Sequence, residues 1–78
     1  MYVRNLKEIV RVKVTDKRTI VISHNEQEDK IIIGQQIHTV DEEGKPMNFF
    51  LKGALNFPAD MLPKVEEAIS KALDELAI

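Results

Sequence analysis

The chain has 78 residues, a formal net charge of −2 and no cysteine. This length predicts one small domain spanning residues 1–78. The balance of 44% hydrophobic and 31% charged residues is typical of a folded globular protein and not of a disordered chain. The absence of cysteine excludes a disulfide scaffold, a thiolate metal site and a cysteine nucleophile. No apolar run approaches the roughly 20 residues that span a bilayer, and the N-terminus lacks the apolar core of a secretory signal. We therefore expect a cytoplasmic protein with no membrane partner.

The charges are unevenly distributed along the chain. Residues 1–18 carry a net charge of +4, whereas residues 58–78 carry −3. A basic N-terminal element beside an acidic C-terminal one can present two oppositely charged faces. One of them could meet a polyanion, although the same pattern also fits ordinary solvated charge.

Hydrophobic alternation predicts four strands in the first three quarters of the chain. Their expected bounds are 6–14, 19–23, 30–40 and 47–57. In the first strand, Val10, Val12 and Val14 should point to one side and Ile9, Arg11 and Lys13 to the other. In the fourth strand, one side should hold Met47, Phe49, Leu51, Leu55 and Phe57, and the other Asn48, Phe50, Lys52 and Asn56.

Polar and glycine-containing segments separate these strands. Turns are expected at residues 16–18 and 41–46, and a loop at residues 24–29. Gly44 is expected to adopt a positive φ in its turn. Gly34 interrupts the third strand and suggests a bulge or a bend.

The last segment changes from strand to helix periodicity. Apolar residues recur at three- and four-residue spacing from Met61 to Leu76, which predicts an amphipathic helix over residues 60–76. Asp60 is the expected N-cap, and Pro63 would then lie in the first turn. We expect the helix to pack on one sheet face, giving an α+β domain of a four-stranded antiparallel sheet followed by one C-terminal helix.

One helix can cover only one face of such a sheet. The other face should hold Ile9, Arg11, Lys13, Phe50 and Lys52, and His38 as well, which is a mixture of basic, aromatic and apolar side chains. Because a small core stabilises a domain weakly and such a surface is rarely left idle, we expect a homodimer.

The order of four strands and a helix resembles the superfamily that contains the Pur-alpha repeat, the Whirly proteins and transcriptional positive cofactor four. The similarity rests on residues 8–9, 17–19, 30–33, 41–44 and 52–55, of which the last, Lys-Gly-Ala-Leu before the final helix, is most similar to the cofactor and Whirly pattern. The resemblance implies a dimer that binds single-stranded nucleic acid, DNA in preference to RNA, as an accessory factor in transcription or replication. It assigns ligand contacts to Lys17, Arg18, Lys30 and Lys52.

The chemistry of single-strand binding adds further candidates. Such proteins line a groove with cations and stack bases on aromatic rings. Arg11 and Lys13 can supply cations, and Phe50, or less favourably Tyr2, can supply a stacking face. Packing in a dimer interface is an equal alternative for Phe50, whereas Phe49 and Phe57 are expected in the core.

Other function classes have little support in the sequence. His24 and His38 have no further metal ligands at suitable spacing, Ser23 and Ser70 have no evident base, and no glycine-rich phosphate loop is present. We therefore expect no enzyme activity, metal, cofactor or small-molecule substrate. The main alternative is a dimeric protein-interaction module with no role in nucleic-acid binding.

Overall fold

The computed structural model of the chain describes residues 6–76, so Tyr2 lies outside the described residues. It contains an antiparallel sheet followed by one helix, which confirms the predicted α+β class and the order of elements. The elements are β1 (Leu6–Thr15), β2 (Arg18–Asn25), β3 (Lys30–Val40), β4 (Pro46–Phe50), β5 (Leu55–Pro58), a 3₁₀ turn (Ala59–Met61) and α1 (Leu62–Leu76).

The sheet differs from the prediction at its last strand. The strands lie in the order β1-β2-β3-β4, and β5 also pairs with β3. β4 pairs with the second half of β3 and β5 with the first half, so the expected strand over 47–57 is divided in two. Gly53 has φ +88°, a conformation that extended strands do not adopt, and the loop of residues 51–54 leaves the sheet at this point.

The strand register separates two chemically different sheet faces. The predicted alternation is confirmed where β1 pairs with β2: Val10 and Val12 point to one side, and Arg11 and Lys13 to the other. Bulges on either side of this stretch leave Ile9 and Val14 out of register. The apolar face is defined by Val10, Val12, Ile20, Ile22, Ile31, Ile33, Ile37, Phe49, Leu55 and Phe57. The polar face is defined by Arg11, Lys13, Thr19, Val21, Ser23, Gly34, Gln36, His38, Asn48, Phe50 and Asn56.

The turn between β2 and β3 is built by Asn25. β2 is longer than predicted, and Asn25 at its end accepts hydrogen bonds through Oδ1 from the backbone N–H groups of Gln27 (3.0 Å) and Glu28 (3.2 Å). Such side-chain capping of the backbone is typical of asparagine in turns. β3 has the predicted bounds, and its register with β2 is unbroken at Gly34, so of the bulge or bend suggested there, the bulge is wrong. The positive φ of Gly44 is confirmed at +83°.

The C-terminal helix begins slightly later than predicted. Residues 59–61 form a 3₁₀ turn, with Asp60 inside it and Pro58 before it, so Asp60 is not the N-cap of the α-helix. α1 then runs from Leu62 to Leu76, and Pro63 lies in its first turn as predicted. A proline fits there because the first backbone N–H groups of a helix have no intrahelical acceptor.

The helix is not packed on the sheet of its own chain, contrary to expectation. No residue of α1 is buried, and the helix has no extensive contact with any strand. Ile69 and Leu73, in the middle of its apolar stripe, are 57% and 49% exposed. The amphipathic pattern requires a surface to cover, but it does not determine which surface that is.

The single chain is consequently open. Its buried hydrophobic residues, within the described range, are Val21 and Ile31, each 3% exposed. Phe49 was expected in the core, but it is exposed on the apolar face. The radius of gyration is 15.1 Å, whereas a compact chain of this length would have about 11–12 Å. Within residues 6–76, no helix has both the length and the apolar character needed to cross a bilayer.

Candidate nucleic-acid interface

A groove lies on the polar face, beneath the loop between β4 and β5. Its volume is about 530 Å³. The loop crosses the sheet at Gly34, where an added Cβ would lie 3.6 Å from the Cβ of Ala54 and 3.9 Å from the ring of Phe50. The lining residues are Leu6, Val21, Ser23, Ile32, Gly34, Phe50, Leu51, Lys52, Gly53, Ala54 and Asn56. The groove therefore combines an apolar floor with a few polar groups, as ligand sites commonly do.

Two of the residues predicted to bind nucleic acid line this groove together. Phe50 ends β4 and is 57% exposed, so its ring is available for stacking. Lys52 follows in the loop, which is fixed at one end by a hydrogen bond from the N–H of Leu51 to the carbonyl oxygen of Gln35 (2.9 Å). The positive φ of Gly53 turns the chain back towards β5 directly after Lys52. The fold thus places an aromatic ring and a cation at one site.

Arg11 lies on the same face, but its charge is engaged by Glu8. The guanidinium donates two hydrogen bonds of 2.9 Å to the two carboxylate oxygens. The bulge after Glu8 permits this pair, because it returns two residues of different parity to the same face. The hydrogen bond from Arg11 lowers the pKa of Glu8 and raises that of Arg11. A phosphate would have to compete with this carboxylate for Arg11.

The other predicted cations are distributed around the sheet. Lys13 lies on the polar face and forms an exposed ion pair with Asp16 (2.9 Å). Lys30 begins β3 on the same face, with its Nζ 3.8 Å from Glu28. Surface pairs of this kind are weak and solvated, so both lysines can still exchange a carboxylate for a phosphate.

Two predicted residues do not join this arrangement. Lys17 lies in the turn between β1 and β2, and its carbonyl oxygen accepts a hydrogen bond from the N–H of His38 (2.8 Å). Arg18 is the cross-strand partner of Ile37, which places it on the apolar face, opposite to Phe50. The structure therefore brings together Arg11, Lys13, Lys30, Phe50 and Lys52 on the polar face and leaves Arg18 on the other side.

A row of hydrogen-bonding side chains crosses the polar face next to the groove. The Nε2 atom of His38 lies 2.9 Å from Oγ1 of Thr19, and its Nδ1 lies 2.8 Å from Oδ1 of Asn48. Because the amide oxygen of Asn48 can only accept, Nδ1 of His38 is the donor in that contact, and the hydroxyl of Thr19 is the partner of Nε2. Beside this row, Oε1 of Gln36 is buried with no hydrogen-bond partner among the described residues.

The sequence predicted His38 and Asn48 on the uncovered face, but it did not predict that Thr19 and Gln36 would join them. Gln36, His38, Asn48 and Phe50 share one parity on two paired strands. The alternation that puts these residues on one face can be read from the sequence of each strand. The pairing register that joins them, however, depends on the third and fourth strands being aligned, which the sequence of either strand alone does not determine.

The comparisons with known proteins add no family assignment. No protein-family model, curated protein or solved structure matches this chain. Among residues 6–76, no three histidine, aspartate or glutamate side chains converge as a metal site would require. The features of the chain that bear on its function are therefore the groove, the aromatic ring and the distribution of charge.

Proposed function

We propose that the protein binds single-stranded nucleic acid along the polar face, with DNA preferred over RNA, as a homodimeric accessory factor in transcription or replication. The observation that supports this most directly is the exposed ring of Phe50 beside Lys52 at the groove. Proteins that bind single strands stack unpaired bases on aromatic rings and hold the backbone with cations. The volume of about 530 Å³ lies within the range of small-ligand sites, so an unstacked base has room beside the ring.

The position of the cations agrees with this proposal. Arg11 and Lys13 lie on β1 and Lys30 at the start of β3, so positive charge follows the polar face on both sides of the groove. The sugar-phosphate backbone of a single strand that crosses the polar face would contact cations on both sides of the stacked base. The proposed kinship with the Pur-alpha, Whirly and positive cofactor four superfamily is consistent with the order of four strands and a helix, and it implies the same ligand.

The test is binding of a fluorescent 20-nucleotide single strand of mixed sequence, followed by anisotropy. We expect affinity to fall with salt with a logarithmic slope of about −3, since the four cations of the polar face can each displace a counterion at about 0.7 per contact. A duplex of the same sequence should bind more weakly, because its bases are already stacked. An RNA strand of the same sequence tests the preference for DNA.

Matched variants separate stacking from charge. Phe50→Leu should weaken binding by about five- to a hundredfold, as loss of one stacked base does, whereas Phe50→Tyr should retain it. Lys52→Gln should reduce the salt slope by about 0.7. Lys45→Gln removes the same charge from the β3–β4 turn, away from the groove, and should leave the slope unchanged.

The competing function is a protein-interaction module that does not bind nucleic acid. The exposed apolar stripe of α1 favours it, because such a stripe needs a protein surface. If the wild-type protein shows no binding to DNA or RNA strands at low salt, this second function replaces the first.

A further inference from the structure

Two apolar surfaces of this chain lie open at the same time. The first is the helix stripe, defined by Leu62, Val65, Ile69, Leu73 and Leu76. The second is the apolar face of the sheet, on which Val12 is 50% exposed and Leu55 is 58% exposed. In an ordinary two-layer domain these surfaces would cover each other. Here they belong to the same chain but do not cover each other.

The connection between the sheet and the helix is short. Only the three residues of the 3₁₀ turn separate β5 from α1. Pro58, with φ −57° and ψ 142°, is still extended, and Leu62, with φ −55° and ψ −43°, is already helical. The extended end of β5 therefore passes into the helix through one short turn.

The chain exposes more surface than a compact monomer of its mass, and the excess is large enough for a dimer interface of ordinary size. The chain has an accessible surface of 6635 Å². A compact monomer of 8.9 kDa would expose about 4,800 Å², so about 1,800 Å² is in excess. A stable interface buries about 800 Å² on each partner. The excess exposed area is therefore large enough for each chain to contribute its share of a stable dimer interface.

The dimensions and the charges of the two surfaces are complementary. The 15 residues of α1 span about 22 Å, enough to cross four strands that extend over about 14 Å. The register places two cations, Lys7 and Arg18, on the apolar face, together with His24, whose Nε2 lies 2.8 Å from Oδ1 of Asp29. The helix has a net charge of −2, and Glu66 borders its apolar stripe. A second copy of this chain therefore offers both the apolar surface and the charge of the opposite sign.

We infer that two copies of the chain exchange their C-terminal helices, with α1 of each copy lying across the apolar face of the other. The arrangement is reciprocal, as a two-fold interface must be. It buries the helix stripe and the apolar face together and leaves both polar faces open. This inference rests on the homodimer of the proposed function but does not depend on nucleic-acid binding.

Cross-linking between distinguishable chains tests the exchange. Because the chain has no cysteine, single cysteines can be introduced without interference. One population carries Ile69→Cys, in the middle of the helix stripe, and a second, enlarged by a tag, carries Ile22→Cys, in the middle of the apolar face. After mixing, unfolding and joint refolding, a short bis-maleimide should produce a cross-linked species that contains one chain of each size. Glu67→Cys, on the opposite side of the helix, is the matched control and should give severalfold less product.

Sedimentation of the unmodified protein provides a measurement without any variant. Exchange predicts a dimer at micromolar concentration. A monomer at about 100 μM would overturn the inference, and so would a cross-link that forms only within single chains carrying both cysteines, since that result places the helix on its own sheet. If the mixed cross-link forms but the protein does not bind single-stranded nucleic acid, the proposed function is rejected and the helix exchange is retained.

Discussion

Replacing Ile69 by alanine distinguishes an open helix from a covered one. In the single chain, Ile69 is 57% exposed, so less than half of its surface is removed from water. Full burial makes an isoleucine-to-alanine change cost about 2–4 kcal/mol. Scaled to the covered fraction, that range becomes about 0.9–1.7 kcal/mol, and the absence of a tightly packed cavity places the cost in an isolated chain at its lower end. If the helix lies on a second copy, the full 2–4 kcal/mol applies.

Chemical denaturation at two protein concentrations provides the assay. For an exchanged dimer, a tenfold dilution should lower the apparent stability by about 1.4 kcal/mol, because unfolding is coupled to dissociation. Ile31→Ala is the matched control. Ile31 is 3% exposed within the single chain, so its loss should be costly whether or not a second copy is present. A small effect of Ile69→Ala together with unfolding that is independent of concentration would refute the reasoning.

Three further substitutions test local features of the structure. Gly53→Ala should lower the stability by about 1 kcal/mol, because φ is positive there, and should also weaken the binding of single-stranded nucleic acid by displacing the loop. Gly44→Ala is the control: it should lower the stability in thermal unfolding by a similar amount but leave the binding unchanged. Asn25→Ala should cost about 1–2 kcal/mol in denaturation, since it removes the two hydrogen bonds that close the β2–β3 turn. Glu8→Gln should raise affinity for a single strand by releasing Arg11 to bind phosphate, and unchanged or lower affinity in the anisotropy titration would contradict the assignment of Arg11 to the interface.

The pair of Glu8 and Arg11 also gives the sign of a pH effect. The folded pKa of Glu8 lies below its ordinary value. Its contribution to stability is therefore present above the unfolded pKa and is lost as the pH falls through the folded pKa. Both side chains are exposed at the surface, so solvent screens the effect. Protonation in that acidic range should release Arg11 in the same way as Glu8→Gln.

The sequence was most informative where local chemistry decides the structure. The alternation of Val10 and Val12 with Arg11 and Lys13 predicted the faces of β1, and the third strand was predicted at its full length. A period of two residues is imposed by the strand itself, so it is readable without knowledge of the partner strand. The same reasoning correctly assigned the parity of Phe49 and Phe50.

The errors occurred where a neighbouring segment decides the outcome. Leu51 and Lys52 continue the strand alternation of Phe50 in the sequence, yet the chain leaves the sheet at these residues. Two separate strands, β4 and β5, pair with different halves of β3, and the loop between them contains Leu51 and Lys52. The apolar stripe of α1 predicted the helix but could not specify the surface that it covers. Arg18 was assigned to the ligand by resemblance, and only the register with Ile37 revealed that it lies on the apolar face.

The proposed exchange of helices also bears on an electrostatic objection to the binding of single-stranded nucleic acid. A protein with a net charge of −2 should repel a polyanion, and much of the negative charge lies in the C-terminal segment. When that helix lies across the apolar face of a partner, a full sheet layer of about 10 Å separates its carboxylates from the polar face. That distance is close to the screening length of about 8–10 Å at physiological salt. On the polar face itself, Arg11, Lys13 and Lys30 are each paired with a carboxylate. The proposed ligand would therefore gain from Lys52 and from displacing those weakly held carboxylates, while the charge of the helix is largely screened.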